Sequence, residues 1–148
     1  MGIANPSIGQ LIIETMQELG RTRALVVHGA GTDEIAVHGA TDVWELGADG
    51  RIEHYTIAPE EMGLSRYALE DLRGGDAETN AAFMRATFAG EGSAAHRDAV
   101  AAAAGAMFYV YGMADSIADG VAHAIRVIED GTVQSWLRTH EEADYGVE

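Results

Sequence analysis

The fold turns on "RALVVHGAGTDEIAVHGATDVWELGADGRIEHYTI", residues 23–57. Three short apolar runs, "RALVVHG", "EIAVHG" and "DVWELG", are each bounded by polar residues or Gly, which predicts short strands. Asp49-Gly50 is a hairpin turn signal and leads into a fourth run, "RIEHYTI". Alternation there puts Ile52, His54 and Thr56 on one face and Glu53, Tyr55 and Ile57 on the other.

Working outward, "SIGQLIIETMQEL" at 7–19 predicts a helix with Ile8, Leu11, Ile12, Thr15, Met16 and Leu19 on one stripe, stopped by Gly20. After Ile57 comes a connecting segment with Pro59, Gly74-Gly75 and one helical turn near Ala68–Leu72. Asp76 is then the N-cap of a helix reaching Gly90. Further helices are expected over about Ser93–Gly112, Asp115–Glu129 and Thr132–His140, followed by an acidic, frayed tail. In the first of these, small residues in "AVAAAAGAM" allow close approach of another element. One domain over 1–148 is predicted, of α/β or α+β class. It has a small sheet of about four short strands with a hairpin, an N-terminal helix and three to four C-terminal helices.

The net charge of −15 opposes a phosphate-lined groove, so nucleic-acid binding is not expected. No run approaches the roughly 20 apolar residues that span a bilayer, and "MGIANPSIGQ" has no signal-peptide pattern, so a cytoplasmic protein is expected. The absence of cysteine removes disulfides, thiolate metal sites and thiol nucleophiles. All nine basic residues are arginine, in keeping with a GC-rich coding bias.

Four groups could carry chemistry. Asp33-Glu34 in "GAGTDEI" can give Mg²⁺ one or two carboxylate oxygens, or can simply cap a solvated turn. His28 and His38, each before a glycine, and His54 suit acid–base work near neutral pH, yet none has the spacing of a zinc motif. The Gly74-Gly75 pair before a helix start can favour an anion or can be structural. Phe83, Phe88, Met107 and Phe108 can be core or can wall an apolar pocket, in which Tyr109 and Tyr111 would orient a ligand.

Read together, "ELGRTRALVVHGAGTDEIAVHGATDVWEL", "IAPEEMGL", "LRGGDAETNAAFMRATFAGEGSAAHRDAV" and "GMADSIADGVAHAIRVIEDG" resemble, in order, the C-terminal part of anthranilate phosphoribosyltransferase, a family-3 glycosyltransferase. The resemblance implies transfer of a ribosyl phosphate from phosphoribosyl pyrophosphate to anthranilate, in tryptophan biosynthesis, with Mg²⁺ held partly by Asp33 and Glu34. His28-Gly29 matches the family's HG, and Gly74, Gly75, Asp76 and Asn80 match its "GGDAxxNA" helix start. The chain departs from the family in having no GTGGD-like or KHGN-like stretch, in Ala103 where the family has Asn, and in passing so quickly from "NPS" to the first helix that a strand is expected to be lost.

These departures set two expectations. The first is a diverged small-molecule enzyme with an apolar pocket, needing no cofactor, that cyclises or isomerises a hydrophobic substrate, with His28, His38, Tyr109 and Tyr111 as candidate catalytic groups. The alternative is a domain or subunit of anthranilate phosphoribosyltransferase that uses Mg²⁺ through Asp33 and Glu34, beside a third reading as a non-catalytic interaction module. A homodimer is expected in order to cover open strand edges.

Overall fold

The computed structural model describes residues 1–141, so the expectation for the acidic tail lies outside the described residues. Helix α1 (Gly9–Glu18) is followed by strands β1 (Ala24–Gly29), β2 (Thr41–Leu46) and β3 (Ile52–Ile57). Helices α2 (Ala77–Phe88), α3 (Ala94–Val110), α4 (Ile117–Glu129) and α5 (Thr132–Glu141) complete the order. Short 3-10 turns occupy Pro6–Ile8, Pro59–Met62 and Leu69–Leu72. Among the described residues no helix is long and apolar enough to cross a membrane.

The sheet is an antiparallel meander, β1-β2-β3, with Val27 opposite Val43 and Val43 opposite Tyr55. Asp49 accepts from the Arg51 amide and Gly50 takes φ +81°, so the expected hairpin turn forms. Both faces are covered. Leu25, Val27 and Val43 meet Ala101, Ala102, Val121 and Ala124 of α3 and α4 on one side. Ala24, Val26, Trp44 and Leu46 meet Ile13 of α1 and Ile3 on the other. That double burial explains why β1 reads as a continuous apolar run although it is antiparallel.

The structure corrects three expectations. "EIAVHG" is not a strand, so three strands replace four. Its Ile35, Ala36 and Val37 are buried all the same. They are tied by single bonds, Ala36 N–H to Thr41 Oγ1 at 2.9 Å and Tyr67 N–H to the Val37 carbonyl at 2.9 Å. No ladder forms there, because β1 already has β2 on one edge and residues 1–3 on the other.

Those first residues are the second correction. The Val27 amide donates to the Met1 carbonyl and the Ile3 amide to the Val27 carbonyl, which makes a short parallel addition to the sheet. An extended segment therefore precedes Asn5-Pro6, where no element was expected, while between "NPS" and α1, where a strand was expected to be lost, the 3-10 turn Pro6–Ile8 runs directly into Gly9.

The third concerns α1. Its buried face is Gly9 and Ile13, flanked by Ile12 and Met16, while Leu11 and Leu19 of the expected stripe are exposed. The close approach to Trp44 sets this rotation, since a Cβ on Gly9 would lie 2.5 Å from the indole ring.

The α2 boundaries follow their caps. Asp76 accepts from the Thr79 amide at 2.8 Å, as expected. Ser93 and Ser116 cap α3 and α4 by the same device. The small-residue reading of α3 also holds. A Cβ on Gly120 would lie 2.2 Å from the Gly105 carbonyl oxygen, so two glycines meet where α3 and α4 cross.

Candidate functional site

Beyond β1 the chain makes a tight turn. Gly29 and Thr32 exchange backbone hydrogen bonds of 3.0 and 2.9 Å, and the Thr32 hydroxyl donates to the Gly29 carbonyl at 2.8 Å. The two residues between them take positive φ, +45° at Ala30 and +93° at Gly31. Positive φ at both central positions is the turn shape that suits a right-twisted strand pair. Ala30 N–H also donates to the Ala40 carbonyl, which ties the two ends of the loop together.

Asp33 and Glu34 follow directly and are exposed. Their backbone is seated against the N-terminal segment, since a Cβ on Gly2 would lie 1.5 Å from the Asp33 carbonyl oxygen. Partial burial lowers the pKa of the Met1 ammonium, which donates to the Leu25 carbonyl, and the Glu34 charge opposes that shift.

Two adjacent exposed carboxylates fit Mg²⁺, which takes one or two protein carboxylates and completes its shell with water and substrate phosphates. They do not fit a metal caged wholly by protein, because no group of three or more His, Cys, Asp or Glu that could hold a metal ion occurs among the described residues.

Glu34 stands where two cavities meet. One, of about 480 Å³, lies between the N-terminal segment and α3, with Met16, Leu25, Ile35, Met107 and Tyr111 in its wall and Arg21 and Arg23 at its edge. The other, of about 520 Å³, is walled by Val37, Leu72, Phe83, Met84 and Val100, with His38 and His96. The expected pocket group is thereby divided. Phe83 and Met107 face different cavities, and Phe108 packs on the core and stacks on His123 with ring centres 4.5 Å apart. Phe88 lines neither cavity.

The candidate acid–base groups do not converge. His28 Nδ1 is bonded to the Ile3 carbonyl at 2.9 Å, on the sheet face toward α1. Tyr109 belongs to the opposite face, where it packs with the α3–α4 side of the core. Tyr111 is 79% exposed. His38 Nε2 meets the Ala30 carbonyl at 3.3 Å, and its Nδ1 is buried with no hydrogen-bond partner among the described residues. His54 stacks on Trp44 at 4.4 Å and pairs with Asp42 at 3.6 Å. Gly75 exchanges hydrogen bonds with the Asn80 side chain, so the Gly74-Gly75 stretch serves the start of α2.

The sequence reading missed Glu45. Each of its carboxylate oxygens accepts one phenol, Tyr55 at 2.7 Å and Tyr109 at 2.5 Å, while the Arg23 guanidinium lies 4.8 Å over the Tyr109 ring. Burial, then the bond to Glu45, pushes the Tyr55 phenol far above its ordinary value. The bond to Glu45, then burial, raises Tyr109. Both hydroxyls are therefore held protonated as donors, which is unsuited to a base. A carboxylate at the inward position of β2, after Thr41 and Val43, was the available signal. Asp98 was also missed. It is buried, and accepts from the Tyr67 hydroxyl at 2.7 Å and from Arg97 at 2.8 and 2.9 Å.

Comparison with known proteins gives the family and the fold. The family described as "Glycosyl transferase family, a/b domain" matches residues 1–134. Anthranilate phosphoribosyltransferase of Corynebacterium glutamicum (strain R) is 66% identical over 145 residues, 98% of this chain and 42% of the relative. That of Corynebacterium aurimucosum is 63% identical over 146 residues, 99% of this chain and 42% of the relative. The crystal structure of anthranilate phosphoribosyltransferase from Thermus thermophilus superposes with a TM-score of 0.84 at 41% identity, over 93% of this chain and 40% of that one. The chain thus spans about two-fifths of the length of the relatives it matches.

Proposed function

This chain belongs to the glycosyl transferase family, a/b domain, and we propose that it serves as the part of an anthranilate phosphoribosyltransferase that presents the metal-holding carboxylates. The observation that carries the reading is the placement of Asp33 and Glu34. A turn locked by Gly29 and Thr32 and seated on Gly2 fixes their backbone, and Glu34 stands at the junction of both cavities.

In the proposed reaction the anthranilate nitrogen forms a bond to C1 of the ribose. The C1–O bond to pyrophosphate breaks, pyrophosphate leaves with the electron pair, and the nitrogen loses its proton to solvent. Mg²⁺, when bound, supplies positive charge for the diphosphate oxygens. Asp33 and Glu34 would hold it, and the fixed turn sets where their backbone presents the two carboxylates. The rest of the site lies in the part of the relatives outside the matched length.

The expectation of a cofactor-free cyclase gains no support. Its candidate residues are dispersed over both faces of the sheet, and relatives at 60–66% identity carry the phosphoribosyltransferase name. The alternative expectation takes its place.

Joining this chain in frame to the part of the Corynebacterium glutamicum relative outside the match provides the test. The hybrid should consume anthranilate only with phosphoribosyl pyrophosphate and Mg²⁺. Asp33→Asn with Glu34→Gln, which removes both carboxylate charges, should weaken apparent Mg²⁺ affinity by more than the roughly 10-fold to 100-fold that loss of a residue supporting a metal ligand costs. A folded hybrid with no turnover would sink the reading.

A further inference from the structure

Thr41, Thr87 and Asp98 are the buried polar side chains among the described residues, and of these Asp98 alone is ionisable. Burying a carboxylate is costly unless it is paired and hydrogen-bonded. Arg97 pairs with its Oδ1 and also lies 3.7 Å from Glu129 of α4. Its Oδ2 faces away from that pair and accepts the Tyr67 hydroxyl at 2.7 Å, 31 residues earlier in the chain. The reaction proposed above uses neither Asp98 nor Tyr67.

Tyr67 lies in residues 64–68, which form neither helix nor strand between two 3-10 turns. With no ladder to place this backbone, its side-chain anchors decide where it runs. Those anchors are buried Leu64 and the Tyr67 hydroxyl on Asp98. The Arg66–Glu60 pair in the same segment is exposed, and exposed pairs hold little. Burial, then the bond to Asp98, raises the Tyr67 pKa, so its hydroxyl stays a donor.

Tyr67 in turn holds the loop of the two carboxylates. Its N–H donates to the Val37 carbonyl at 2.9 Å, beside the Ala36 N–H on Thr41 Oγ1. These bonds anchor the far limb of the loop, as the Gly29–Thr32 exchange anchors the near limb. Asp33 and Glu34 lie between the two. We propose that Asp98 is a positioning residue for Asp33 and Glu34. Through the Tyr67 hydroxyl it fixes the backbone N–H that holds Val37, and so the limb that follows the carboxylates. The metal side of this inference rests on the phosphoribosyltransferase reading above, and the tether rests on the loop geometry alone.

Tyr67→Phe tests it, since that change removes the hydroxyl and keeps the ring and the backbone N–H. In the chain itself, amide hydrogen exchange should speed about tenfold at Ala36 and at residue 67, as for loss of one hydrogen bond to a charged group, while the amides of β2 keep their rates. Asp98→Ala should do the same, and adding Tyr67→Phe to it should change nothing further. Arg66→Ala should leave the loop's rates unchanged. In the in-frame hybrid, Tyr67→Phe should weaken apparent Mg²⁺ affinity about tenfold, the low end for loss of a residue supporting a metal ligand, with kcat at saturating Mg²⁺ unchanged. Loop rates that Tyr67→Phe leaves unchanged, or an equal acceleration in the loop and in β2, overturn the proposal. So does an active hybrid whose Mg²⁺ affinity Tyr67→Phe does not move. An inactive hybrid rejects the activity alone, and the exchange rates then decide the tether.

Discussion

Glu45 holds two phenols with one carboxylate, and so ties β2 and β3 to α3. Glu45→Ala would leave both hydroxyls without their acceptor, at a cost of about 1–3 kcal/mol in unfolding free energy by urea titration. The same cluster sets an alkaline limit. The folded Tyr55 pKa stands above its ordinary value of 10.0, so its stabilising contribution is complete below that value. It is lost as pH rises from there toward the folded pKa. The thermal midpoint should therefore stay level to about pH 9 and fall beyond 10. Glu45→Gln should make that fall shallower by removing the carboxylate's share of the shift. At Gly2, Ala would push a methyl into the Asp33 carbonyl, so Gly2→Ala should disturb the Asp33–Glu34 loop and lower Mg²⁺-dependent turnover of the hybrid. The turn that carries Asp33 and Glu34 was legible in sequence because its glycines lie next to the carboxylates, while their metal-holding role came only from the family resemblance. Glu45 was not, because its partners lie 10 and 64 residues away and only the folded sheet brings them together.

Among the elements, the hairpin, the cap at Asp76 and all four C-terminal helices could be read from the chain, since each rests on residues within a turn of one another. The failures have tertiary causes. "EIAVHG" has strand composition, yet the neighbouring edge is occupied by residues 1–3. The α1 stripe was misplaced because periodicity weighs Leu11 and Leu19 equally with Ile13, and only contact with Trp44 shows where Gly9 must face. The crossing of α3 and α4 gives a direct test of packing. Gly120→Ala forces a methyl to within 2.2 Å of the Gly105 carbonyl oxygen, against backbone that cannot rotate away. Overpacking of this kind costs about 1–3 kcal/mol, measurable as a lowered denaturation midpoint.

For the whole molecule, a net charge of −15 on 148 residues means that self-repulsion opposes compaction. Raising NaCl from about 10 to 150 mM shortens the screening length from roughly 30 to 8 Å, and the melting temperature should rise with it. The family was legible in sequence through several motifs in order. The two cavities were not, since they arise where α3 passes the loop after β1. The meander of β1, β2 and β3 and the crossing of α3 with α4 join neighbours in sequence, so their closing loops are short. Chains with such local contacts fold quickly. Residues 1–3 reach back across 24 residues to Leu25 with few bonds. They should dock last and open first, and the Val27 amide, which depends on Met1, should exchange its hydrogen sooner than the amides inside the meander.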